Sequence, residues 1–196
     1  MGLFQTNYKK LSDEDIMRYI CEGDDRAFSE LYDRYAKAML NYFFRMLWKD
    51  KEKAEDFVQD LFSKIVQKPE SFNPERKFKT WFYSVANNMC KNEYKKQEVR
   101  SGMKNGLDES YNVSNSSRSA DKLADDNVIG KAIQEAIDVL DAKHSEVFCM
   151  RYYDQMSIKE ISEAIDVSEG TVKSRLFYAT KKLASELEEF KVVLKD

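Results

Sequence analysis

The sequence predicts an all-α protein made of two small helical domains joined by a flexible linker, the C-terminal domain containing a helix-turn-helix. Three observations carry this. Apolar residues recur at three- and four-residue steps through long segments, the spacing of one helix face, without the alternation a half-buried strand needs. Only six glycines and two prolines punctuate 196 residues, so little interrupts those runs. Between residues 99 and 127 the periodicity dissolves into SGMKNGLDESYNVSNSSRSADK and its flanks, rich in Ser, Asn, Gly and charge, a composition that cannot bury a core. The expected divisions are therefore 1–98, 99–127 and 128–196.

A hydrophobic content of 42 % supplies cores of ordinary size, and a formal net charge of -3 argues against coating nucleic acid by bulk attraction. Any DNA binding has to be local or assisted by a partner. The N-terminal MGLFQTNYKK lacks an apolar signal core and no run approaches a membrane span, so a cytoplasmic protein without membrane contact of its own is expected. Cys21, Cys90 and Cys149 lie far apart in apolar helical patterns, which points to buried free thiols. With His144 the only histidine and no glycine-rich phosphate loop, neither a catalytic constellation, a metal site nor a cofactor is expected.

Taken in order, Ser12 ahead of Asp13, Glu14 and Asp15 starts a short helix through Ile16, Tyr19 and Ile20 that Gly23 stops. Asp24 or Asp25 caps a longer second helix with Phe28, Leu31, Tyr35, Met39, Phe43 and Met46 on one face. A third, KAEDFVQDLFSKIVQK, turns Ala54, Phe57, Val58, Leu61, Phe62, Ile65 and Val66 inward. Its outer face carries Glu55, Asp56, Gln59, Asp60 and Ser63, a polar set that is ordinarily only solvated. Pro69 and Pro74 bracket a loop before helical spacing resumes through Phe78, Trp81, Phe82, Val85, Ala86, Met89 and Tyr94. That fourth helix also presents Asn87, Asn88, Lys91, Asn92, Lys95 and Lys96; two mid-helix asparagines cost propensity, so another demand placed them. Amides, lysines and a Trp suit unpaired bases, although a core Trp with a solvated lysine flank gives the same pattern.

Beyond the linker, Ile129, Ile133, Ile137 and Leu140 make one helix, and Asp141 to Tyr153, with Val147 and Phe148 inward, the next. The stretch Ser157–Leu183 then reads as two short amphipathic helices around a tight turn. Ser157 with Glu160 is a capping box, Ser168 offers a second cap, and Asp166 sits where the turn wants a left-handed residue. Ile158, Ile161 and Ile165 stripe the first helix, Val172 and Leu176 the second, with Val167 between them. Outward remain Thr171, Lys173, Ser174, Arg175, Phe177, Tyr178, Lys181 and Lys182. Such a face fits a DNA major groove: cations meet phosphates while polar and aromatic groups reach base edges.

Laid end to end, AEDFVQDLF, FKTWFYSVANNMCKN and HSEVFCMRYYDQMSIKEISEAIDVSEGTVKSRLFYATKKL resemble the extracytoplasmic-function (ECF) group of bacterial sigma-70 family RNA polymerase sigma factors, in the family's own order. The resemblance implies that residues 1–98 are sigma region 2 and 128–196 region 4, and that the chain directs core polymerase to promoters. It implies that Asp56, Gln59 and Asp60 face the clamp helices of the largest polymerase subunit. Trp81 and Asn88 would lie beside an extruded base of the minus-ten element, with the loop through Ser71, Phe72 and Asn73 helping to form its pocket. Thr171 and Arg175 would hold phosphates of the minus-thirty-five element, while Lys173, Ser174, Phe177 and Tyr178 face the groove. An anti-sigma factor is a further implied partner. Ser84 and Tyr178 stand where basic residues are common and Asp166 where Gly is usual, departures that bear on promoter sequence. A response-regulator output protein would need an α/β receiver that these helical patterns do not supply. A helical scaffold would leave the basic face unexplained.

Overall fold

The computed structural model describes residues 6–104 and 127–193. Among them run α1 Asp13–Cys21, α2 Asp25–Met46, α3 Lys51–Gln67, α4 Phe78–Lys104, α5 Asn127–Asp138, α6 Ala142–Tyr152, α7 Ile158–Ile165 and α8 Glu169–Val193. Short 3-10 turns lie at Tyr8–Lys10 and Pro69–Ser71, and no described residue is in a strand. Short polar side chains start the helices by accepting from otherwise unpaired N–H groups. Ser12 Oγ accepts from Asp15 at 3.1 Å, Asp50 from Lys53 at 3.0 Å and Asp141 from His144 at 3.1 Å. Of the two candidate caps for α2 it is Asp24 that serves, accepting from Arg26 and Ala27. Gly23, at φ 84, ends α1 in the left-handed region open to glycine.

α1–α4 enclose an aromatic core in which Phe78 stacks on Phe82 at 5.1 Å and Tyr35 meets both rings edge-on. Each such buried ring contributes about 1.5–3 kcal/mol. Two inward assignments are corrected. Val66 is 53 % exposed, because the turn of α3 that buries Ile65 carries its neighbour past the edge of the core. Cys21, at the end of α1, is exposed, whereas Cys90 and Cys149 are buried thiols whose pKa burial raises. Helix α4 continues to Lys104 and α5 begins at Asn127, so residues 99–104 and 127 of the expected linker are helical; 105–126 lie outside the described residues.

The C-terminal helices do not stand apart. α7 lies along α4 and α6 against α2. Val147, Met150, Met156, Ile161, Ala164, Ile165 and Val172 join the apolar cluster of the N-terminal helices, while Ala136, Ile137, Cys149 and Leu183 form a smaller one. Polar groups reinforce the contact at its edges. Lys77 Nζ donates to Glu160 Oε1 at 2.7 Å, Lys91 Nζ to the Ile165 carbonyl at 3.2 Å, and Lys79 Nζ to the Asp154 carbonyl.

Candidate nucleic-acid interface

The helix-turn-helix is built as its residues require. Ser157 Oγ accepts from Glu160 N–H at 3.2 Å while Glu160 Oε2 accepts from Ser157 N–H at 2.8 Å, closing the capping box of α7. Asp166 takes the left-handed turn position at φ 57 and ψ 56, and Ser168 Oγ accepts from Thr171 N–H at 3.1 Å to start α8. Val172, Ala179 and Leu183 are buried along the inner side of α8, which fixes its rotation. Lys173, Ser174, Phe177 and Tyr178 consequently point outward, with Phe177 62 % and Tyr178 56 % exposed and their rings 5.6 Å apart. Two large adjacent aromatics with no apolar seat inside the chain are unusual for a merely solvated helix.

Two residues of α8 sit less freely than their neighbours. Thr171 is half-buried with Oγ1 2.9 Å from Ser168 Oγ, and Arg175 is half-buried on the flank of α8. The Arg175 charge acts on Glu146, which lies 8 % exposed where α6 meets α2 and α4. Glu146 Oε1 accepts from Tyr42 Oη at 3.0 Å and from Asn87 Nδ2 at 2.9 Å. Burial raises the Glu146 pKa, against the Tyr42 hydrogen bond and the Arg175 and Lys91 charges that act to lower it. Sequence reasoning missed this junction, since its partners are separated by tens of residues. It also missed His144, whose ring stands 6.0 Å from Tyr178 and whose Nδ1 lies 2.9 Å from Asp141 Oδ1.

On α4, Trp81 is half-buried and leans on Phe72 at 5.2 Å and Phe78 at 5.7 Å. Asn88 is exposed. Two expectations change here. Phe72 is only 4 % exposed, because the loop folds its ring under Trp81; it supports the tryptophan and cannot itself reach a base. Asn87 faces inward, its amide engaged by Glu146, so the cost of a mid-helix asparagine is offset by a buried hydrogen bond. Ser71 and Asn73 are exposed but shape their own turn, Ser71 Oγ donating to the Lys68 carbonyl at 2.7 Å and Asn73 Oδ1 accepting from Glu75 N–H at 2.9 Å. On α3, Asp56, Gln59 and Asp60 are exposed together, and their side chains make no hydrogen bond or ion pair with any described residue. Among the described residues no cluster of His, Cys, Asp and Glu could hold a metal, and no helix is long and apolar enough to cross a membrane.

Comparison with known proteins agrees with this layout. Residues 31–100 match the model of Sigma-70 region 2 and residues 130–183 that of Sigma-70 region 4. The chain is 32 % identical over 163 residues to the ECF RNA polymerase sigma factor SigL of Mycobacterium tuberculosis, covering 83 % of this chain and 89 % of that protein. It is 27 % identical to SigW of Bacillus subtilis, covering 88 % and 95 %. Among solved structures it resembles CnrH in complex with the cytosolic domain of CnrY, with TM-score 0.65, 21 % identity and coverage of 90 % and 97 %. It also resembles the sigma factor RpoE of Bartonella quintana in complex with the anti-sigma factor NepR, with TM-score 0.63, 21 % identity and coverage of 82 % and 96 %. An all-helical chain with a helix-turn-helix, an exposed acidic face and these relatives along most of its length belongs to the ECF group of RNA polymerase sigma factors.

Proposed function

We propose that this sigma factor binds core RNA polymerase through α3 and contacts promoter DNA at two places, one for each half of the chain. Residues 1–98 serve polymerase binding and the minus-ten element, 128–196 the minus-thirty-five element, and 99–127 connect them. Asp56, Gln59 and Asp60 meet the clamp helices; Trp81 and Asn88, with Ser71 and Asn73 beside them and Phe72 beneath, hold the base that leaves the stack. Thr171 and Arg175 anchor α8 on phosphates, and Lys173, Ser174, Phe177 and Tyr178 read the groove. The observation that carries this reading is the outward face of α8, where Phe177 and Tyr178 are exposed beside Lys173 and Ser174 and outside the buried core. The protein acts by targeting a polymerase and not by catalysis, works in the cytoplasm and is held inactive by an anti-sigma factor; two solved relatives with similar folds were captured as complexes, one with a protein described as an anti-sigma factor. The test is to mix the purified chain with core polymerase and genomic fragments and sequence the transcripts that start. Starts that share two upstream elements only when the chain is present are the expected result; random starts would refute it.

A further inference from the structure

Thr171, Arg175 and Tyr178 follow one another at steps of four and three, so they form one stripe along α8. Each is tied to another part of the chain. Thr171 Oγ1 lies 2.9 Å from Ser168 Oγ, and the Arg175 charge acts on Glu146 of α6. Tyr178 meets His144, also on α6, with ring centroids 6.0 Å apart and planes at 47°, a separation at which aromatic rings attract. The two partners differ in freedom. The His144 side chain is only 21 % exposed, and its Nδ1 lies 2.9 Å from Asp141 Oδ1. The same oxygen accepts from the His144 N–H at 3.1 Å, so one carboxylate oxygen holds both the first turn of α6 and the imidazole. Tyr178 is 56 % exposed, and the other ring that it meets among the described residues, Phe177, is itself 62 % exposed. The imidazole is the fixed member of the pair and the tyrosine the one that reaches outward.

We propose that His144 is a positioning residue for promoter reading: anchored by Asp141, its ring selects the rotamer in which Tyr178 meets the groove, and so sets how sharply Tyr178 discriminates between bases. A tyrosine on a helix has more than one χ1 rotamer open to it, and these carry its hydroxyl to different places over the groove. A base edge is read from only one of them. Without the imidazole behind it the ring spreads over the alternatives, and its contact with the favoured base weakens by the fraction misplaced. Binding to other bases, which gains nothing from that contact, stays as it was, so the loss falls on discrimination. His144 itself touches no base, and through it α6 takes part in a task carried out on α8. This rests on the assignment of Tyr178 to the groove made above.

The test is a randomised upstream-element selection with the full chain bound to core polymerase. Tyr178→Ala identifies the base position that the tyrosine reads. Ring contacts shift an equilibrium about two- to tenfold, so His144→Ala is expected to reduce the preference at that position about threefold. His144→Phe, which keeps a ring in place, is expected to retain most of the preference, and His144→Ala in the Tyr178→Ala background to change nothing further. Full preference with His144→Ala beside a lost preference with Tyr178→Ala would overturn the positioning role and leave the groove assignment standing. A loss with His144→Phe as large as with His144→Ala, or a further loss from His144→Ala in the Tyr178→Ala background, would overturn it as well. No change with Tyr178→Ala would remove the groove assignment and this proposal with it. Partial unfolding cannot imitate the expected result, because it weakens all elements alike. A second measurement needs no DNA: His144 is the only histidine, so its imidazole protons are unique in the NMR spectrum of the full chain. They are expected to shift in Tyr178→Leu as the tyrosine ring current is lost, and unmoved signals would overturn the contact.

Discussion

Replacing Asp166 by glycine, and separately by alanine, tests the turn on which the orientation of α8 depends. Asp166 sits at φ 57 and ψ 56, its N–H donates to the Ser162 carbonyl, and its exposed side chain makes no hydrogen bond or ion pair with a described residue. The substitutions therefore change backbone preference and little else. An L-residue in this region is disfavoured by about 1–2 kcal/mol, less for Asp and Asn than for others. Glycine removes that cost but loses more freedom on folding, about 0.5–1 kcal/mol. Asp166→Gly should thus gain about 0.5 kcal/mol and Asp166→Ala lose a similar amount, a separation of about 1 kcal/mol. For a chain of this length that is about 2–4 °C between the two melting midpoints. Calorimetry on the full chain measures it, and an alanine variant as stable as the glycine variant would refute the claim that the turn is held against its backbone preference.

Four further outcomes are expected. Asp56→Lys combined with Asp60→Lys should abolish capture of core polymerase, while folding stability changes by no more than about 1 kcal/mol because both groups are exposed; retained capture would show that the polymerase grips another face. Asn88→Ala should slow open-complex formation on duplex promoters and be partly rescued on a pre-melted bubble; an equal defect on both templates would place its action before melting. Arg175→Ala should weaken all upstream elements alike, whereas Lys173→Ala and Tyr178→Arg should change base preference at about 1–3 kcal/mol per position; the reverse pattern in a randomised-element selection would mean α8 meets the groove with another face. The hydrogen bond from Lys77, with those from Ser157, holds the Glu160 carboxyl at about 2, below its ordinary 4.5, so its contribution is complete above pH 4.5 and fades as pH falls toward 2. Lys77 is largely exposed, which limits that contribution to about 1 kcal/mol; an acid limb unchanged by Lys77→Met would dismiss the pair.

What could be read from the sequence was what local chemistry decides. The capping box of Ser157 and Glu160, the left-handed Asp166 and the Ser168 cap depend on neighbours within four residues, and each formed as spacing implied. The outward face of α8 was legible for the same reason, since the stripe of Val172, Leu176 and Ala179 leaves Lys173, Ser174, Phe177 and Tyr178 no other direction. Residues whose fate is set by distant partners were not legible. Asn87 reads as a surface amide beside Asn88 until Glu146 arrives from 59 positions away. Phe72 looks like a loop aromatic free to meet a base until Phe78 and Trp81 cover it, and Glu146 looks like one more surface acid in HSEVF. The packing of α7 on α4 is the largest omission, because the lysines at its edge, Lys77 and Lys91, are residues that pattern alone assigns to solvent.

The lysine clasp at the two ends of α7 joins parts of one polypeptide, and this changes what dilution can do. A separate partner leaves its seat when its concentration drops; a tethered one is present at an effective concentration on the order of millimolar however little protein the cell contains. A separate molecule at about micromolar concentration would face such an occupant at a disadvantage of about a thousandfold. Making more of the protein does not change that balance, because each molecule carries its own α7. The packing of α7 on α4 is therefore set by the chain that links them, and not by how much of the protein is present.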